Sequence, residues 1–159
     1  MIDRPRVIIV LMLLWLLMAG AFIFYGIYSL SVVIDVPEWV AEAPDVGDFQ
    51  EKFEKIVPII HFGFLMSTII FFVFSSVFII FAYGTYKKDQ RVWSTGLIIS
   101  TIFIVIFSLM LAGFIVNVMM FKDDFSISGL VSVIILFLTD LSIIFYLTRP
   151  GTKLYFETE

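Results

Sequence analysis

One acid stands inside an otherwise uncharged apolar run: Asp140, in the stretch from Phe125 to Leu147. A carboxyl in hydrocarbon costs about 2.5–3.5 kcal/mol on insertion scales, which marks the position as a functional candidate. Asp140 lies nine residues before Arg149, so in a helix it sits roughly 13 Å inside the boundary that Arg149 marks. Counting the other apolar runs to the same depth brings in Ser75 and Ser76, Ser100 and Thr101, and Trp15, with Thr139 adjacent in sequence. The candidate polar layer is therefore Asp140 with Ser76, Ser100 and Thr101. Two chemistries fit it. A protonated carboxyl can donate to a neighbouring hydroxyl or a partner subunit and tie helices together. Alternatively, the carboxyl is a proton or cation site of a small channel or transporter. Such sites usually carry a second ionisable group, and none stands at this depth.

A second polar set lies at the opposite end. His61 and Asn117 are each 26 residues from a flanking basic residue, Lys87 and Arg91 respectively. They reach similar heights, level with Asp35. A His–carboxylate–Asn cluster can hold a metal ion, but such sites usually take about three or four ligands. With one histidine and no cysteine in 159 residues, the expectation is a hydrogen-bonded interfacial histidine and no metal. No nucleophile–base pair and no cofactor motif is present, so the chain is not expected to be catalytic by itself or to carry a cofactor.

The elements that must position these groups follow from composition. Hydrophobic residues make up 61% and charged residues 15%, with a mean hydropathy of +1.08. A soluble domain needs about 25% charged residues to clothe its surface, so the apolar surplus must face lipid. Four runs exceed the roughly 18 apolar residues that a span requires: Val7–Ile34, Ile56–Tyr83, Val92–Phe121 and Phe125–Leu147. In hydrocarbon the backbone must satisfy its own hydrogen bonds, so these runs must be helices. The predicted fold is all-α: a polytopic membrane protein with a four-transmembrane-helix bundle, one membrane domain over residues 1–159. The first run continues past the faint cleavage pattern Met18-Ala19-Gly20-Ala21 and is too long for a signal-peptide core.

Charge orients the bundle. Arg4, Arg6, Lys87, Lys88, Arg91, Arg149 and Lys153 fall on one side, and Lys52, Lys55 and Lys122 on the other. The basic side is expected to be cytoplasmic, with both termini there, in the plasma membrane. The acidic outer loop 35–55 gives the other face a negative potential. Pro37, Pro44 and Gly47 are expected to break its first half. Asp48 can cap a short helix through Phe49, Phe53 and Ile56 towards Pro58. That helix either lies on the membrane surface or extends the second span. Trp39 is expected at headgroup level, and Trp93, Tyr83, Tyr86, Tyr146 and Tyr155 in the aromatic belt of the basic side. Gly63 with Ser67, and Gly96 with Ser100, have the small-xxx-small spacing that lets helix backbones approach. Nucleic-acid binding is not supported. The basic turn Lys87–Arg91 can touch anionic lipid.

Asp3-Arg4-Pro5 before the first run, Tyr83-Gly84-Thr85-Tyr86-Lys87-Lys88 leading to Val92-Trp93, and Tyr146-Leu147-Thr148-Arg149-Pro150 followed by Lys153 and Tyr155-Phe156 form a pattern. It resembles a loose group of small, uncharacterised four-helix membrane proteins of archaea and bacteria. The resemblance implies the same topology and no activity. The long acidic loop and the Phe-rich spans depart from it. The expected role is an accessory or structural subunit that packs in the lipid bilayer against other membrane subunits or further copies. A membrane oxidoreductase, for instance an archaeal ammonia monooxygenase, is one conceivable host.

Overall fold

The computed structural model describes residues 6–42, 48–120 and 127–157, with side chains over 6–35, 55–116 and 127–157. Five helices account for nearly all of this: α1 (Arg6–Glu42), α2 (Asp48–Lys87), α3 (Gln90–Met120), α4 (Ile127–Leu147) and α5 (Pro150–Glu157). Among the described residues there is no strand. The first four helices are long and apolar enough to cross a membrane, over Arg6–Asp35, Lys55–Lys87, Gln90–Val116 and Ile127–Leu147. These bounds match the expected runs to within a few residues. The end of the third expected run, at Phe121, lies outside the described residues.

Two expectations about the acidic segment are settled by the backbone. Pro37 does not end the first helix, which runs on to Glu42. A proline removes one donor from the ladder, and the bonds on either side of it carry the helix on. Asp48 begins a helix that continues without interruption to Lys87, with Pro58 inside it. Residues 48–58 therefore extend the second span rather than form a separate helix. Pro58 has no N–H to offer the carbonyl four residues earlier, which belongs to residue 54, just before the span that begins at Lys55. Trp39, the Phe49–Phe53 stripe, Pro44 and Gly47 lie outside the residues whose side chains or backbone are described.

Only Lys88 and Asp89 separate α2 from α3, and capping makes so short a turn workable. Lys88 adopts a left-handed backbone with φ 61°. The Asp89 amide then reaches back to the Gly84 carbonyl at 2.9 Å, and the Lys88 amide to Thr85 at 3.4 Å. These two bonds form the Schellman pattern that satisfies the last carbonyls of a helix. The Asp89 carboxylate in turn accepts from the Arg91 amide at 2.9 Å, capping the start of α3. A Cβ at Gly84 would collide with the Val92 side chain, so glycine is what lets the two helices leave the turn side by side.

The chain divides into two compact units. One combines residues 1–18 with 78–159. Its core includes Ile8, Leu11, Trp15 and Met18 of α1, Phe78 and Phe81 of α2, Phe103 and Phe107 of α3, and Ile143 and Leu147 of α4. Trp15 stacks on Phe78 at 5.7 Å and meets Phe81 edge-on at 5.0 Å. A Cβ at Gly96 would stand 3.1 Å from Trp15 Cζ2 and 3.6 Å from Leu147 Cδ1. The Gly96 side of α3 is thus filled by α1 and α4. The other unit, residues 19–77, pairs the later turns of α1 with α2. There Phe22 and Tyr25 meet Phe71 at 5.8 and 5.9 Å, and the Ser29 hydroxyl donates to the Phe64 carbonyl at 2.9 Å.

The short helix α5 has no counterpart in the sequence expectations. Pro150 opens it, with its fixed φ and missing N–H suited to a first helical position. The Thr152 and Lys153 amides return to the Arg149 carbonyl at 3.0 and 3.2 Å.

Candidate functional site

Asp140 lies on the buried stripe of α4 formed by Val133, Leu136, Asp140, Ile143 and Leu147. Spacings of three and four residues keep these on one helical face. The carboxyl is completely enclosed, and so is Ser100, on the corresponding stripe of α3. The Ser100 hydroxyl stands beside the Asp140 carboxyl. Neither carboxyl oxygen nor the hydroxyl completes a hydrogen bond of ordinary geometry.

The other members of the expected layer point elsewhere. The Thr101 hydroxyl returns to the Leu97 carbonyl at 2.7 Å on an exposed face of α3. Ser76, also exposed, donates to Phe72 at 2.9 Å and belongs to the other compact unit. Thr139 is buried but donates to Ile135 at 2.8 Å. Hydroxyls in helices commonly turn back on the carbonyl four residues earlier when no better acceptor faces them. Trp15 is fully buried in the same unit as Asp140, and its indole N–H has no partner. What the structure brings together at this depth is Asp140 and Ser100, one carboxyl and one hydroxyl on adjoining helices.

Of the second expected set, His61 is half-buried and Asp35 exposed, both within the 19–77 unit. The Asn117 side chain lies outside the described residues. Among the described residues no three metal-ligating side chains of the His, Cys, Asp or Glu type gather together.

The basic end holds features the sequence left unread. Trp93 donates its indole N–H to the Leu147 carbonyl at 2.9 Å. Cations there lie over rings: Lys88 Nζ is 4.9 Å from the Tyr155 centroid and the Arg149 guanidinium 4.5 Å from that of Phe145. The aromatic belt is thereby also a set of cation–π pairs. The Arg-Pro pair followed by a glycine, at the end of an apolar run, was the one available signal for the helix that organises this end.

Comparison with family models, with curated proteins and with solved structures finds no match to this chain.

Proposed function

We propose that this chain is a non-catalytic, multi-pass subunit of the plasma membrane, its termini in the cytoplasm, that packs against other membrane subunits. The observation that carries this reading is the contrast between its two small-residue pairs. The Gly96–Ser100 pair is used within the chain, against Trp15, Leu147 and Asp140. Gly63 is exposed and has nothing within 4 Å of where a Cβ would stand. One turn on, the Ser67 hydroxyl folds back onto the Gly63 carbonyl at 2.9 Å. That leaves the small-residue pair of α2 uncovered within the chain, as a contact site for a second transmembrane helix would be. Mild detergent extraction followed by native mass measurement tests the proposal. Co-extracting subunits are expected, and Gly63→Leu should loosen them; a lone monomer or a simple homo-oligomer would sink the reading.

A second reading is favoured by one observation, the enclosed Asp140 carboxyl with both oxygens unpartnered. In this reading the chain is a small channel or transporter with Asp140 as its proton or cation site. Flux in proteoliposomes no greater than in empty liposomes counts against it, as does equal flux through Asp140→Asn.

A further inference from the structure

The end of the molecule that carries Arg149 contains a cavity of about 550 Å³, lined by Val7, Ile8, Arg149, Pro150, Gly151 and Thr152. All six belong to one compact unit. The first span begins at Arg6 and the fourth ends at Leu147. The cavity therefore lies where hydrocarbon gives way to headgroups.

Its polar side is suited to a phosphate. The exposed Arg149 guanidinium rests its face on Phe145 at 4.5 Å and Tyr146 at 5.3 Å, an arrangement that keeps its edge N–H groups for an anion. In the first turn of α5, Pro150 has no N–H, and the next two amides after Gly151 bond the Arg149 carbonyl. The Gly151 amide has no carbonyl within reach in its own helix, and the space where its Cβ would stand is open. Thr152 provides an independent sign. It is 1% exposed, and its hydroxyl has no partner. Thr68, Thr101, Thr139 and Thr148 each donate to the carbonyl four residues back, whereas Thr85, equally buried, shares with Thr152 a hydroxyl without a partner. Thr152 lines the cavity, and threonine in a helix has two accessible χ1 settings for its hydroxyl. Glu157, the acid on α5, is held by Lys153 at 3.6 Å, and no acid lines the cavity among the described residues.

We propose that this cavity binds the phosphate of an anionic glycerophospholipid. Arg149, the Gly151 amide and the Thr152 hydroxyl take the phosphate oxygens. Val7, half-buried at the cavity, meets the glycerol and the first acyl carbons, which a free phosphate would leave facing bare apolar wall.

The test uses the full-length protein in detergent micelles, titrated with phosphatidylglycerol or phosphatidylcholine and read by native mass spectrometry. Phosphatidylglycerol should be retained in preference. Arg149→Gln should weaken it about five-fold, the effect of one basic residue at an anionic surface. Thr152→Val, which keeps the volume, should weaken it less. Arg91→Gln, an exposed cation outside the cavity in the turn that can touch anionic lipid, should weaken retention less than Arg149→Gln does. Unchanged retention in Arg149→Gln, with helicity intact by circular dichroism, would overturn the proposal. So would an equal loss in Arg91→Gln, which would reveal diffuse surface charge. Complete displacement of the lipid by millimolar inorganic phosphate would overturn the choice of lipid and leave a free-anion site.

Discussion

Trp93 and Leu147, separated by 54 residues, are joined by an indole N–H donated to a backbone carbonyl at 2.9 Å. Leu147 closes α4, and the last carbonyls of a helix have no partner within it. Trp93 supplies that partner from α3, while Lys153 of α5 lies over the same ring at 5.8 Å. One side chain thus ties three helix ends together at the membrane boundary.

Trp93→Phe keeps an aromatic ring at the position and removes the N–H donor together with the five-membered part of the indole. The variant should lose about 1–2 kcal/mol of stability, the cost of leaving one buried carbonyl unsatisfied. Unfolding by SDS titration in mixed micelles measures it; a loss within error would mean water caps Leu147 equally well.

The α2–α3 turn predicts opposite outcomes for two glycines. Gly84→Ala drives a methyl into Val92 and should destabilise by about 1–3 kcal/mol. Adding Val92→Ala should restore part of that loss. Gly20→Ala meets nothing within 4 Å and should be neutral or stabilising by up to about 1 kcal/mol. The same SDS titration, run on all three proteins, compares them directly.

Asp89 caps α3 through the Arg91 amide. Asp89→Ala should cost about 1 kcal/mol. Lys88→Gly removes the strain of a left-handed lysine and should recover stability of the order of 1 kcal/mol. Thermal unfolding followed by circular dichroism distinguishes the two signs.

If Asp140 and Ser100 act as a helix-to-helix clasp, Ser100→Ala should cost about 0.6–1.7 kcal/mol. Asp140→Asn, which can still bond the serine, should be nearly silent in stability. A double-mutant cycle with Asp140→Leu and Ser100→Ala measures the coupling, and zero coupling would remove the clasp.

The sequence by itself determined the four apolar helices, because a run such as Val7–Ile34 has no other way to satisfy its backbone in lipid. It also singled out Asp140, since one charge in such a run is conspicuous. It could not say which side of each helix faces inward. Lipid is as apolar as a protein core, so Trp15 and Leu16 look alike in sequence, although Trp15 is enclosed and Leu16 is 46% exposed. Depth alone placed Ser76, Ser100 and Thr101 together with Asp140. Only the tertiary structure decided that Ser100 faces it while Thr101, one residue on, turns outward: a step of 100° around a helix changes the neighbour without changing the height. The cap on Leu147 and the cavity beside Arg149 were likewise decided by packing. Both arise where ends of the chain distant in sequence meet, and no local pattern encodes such a meeting.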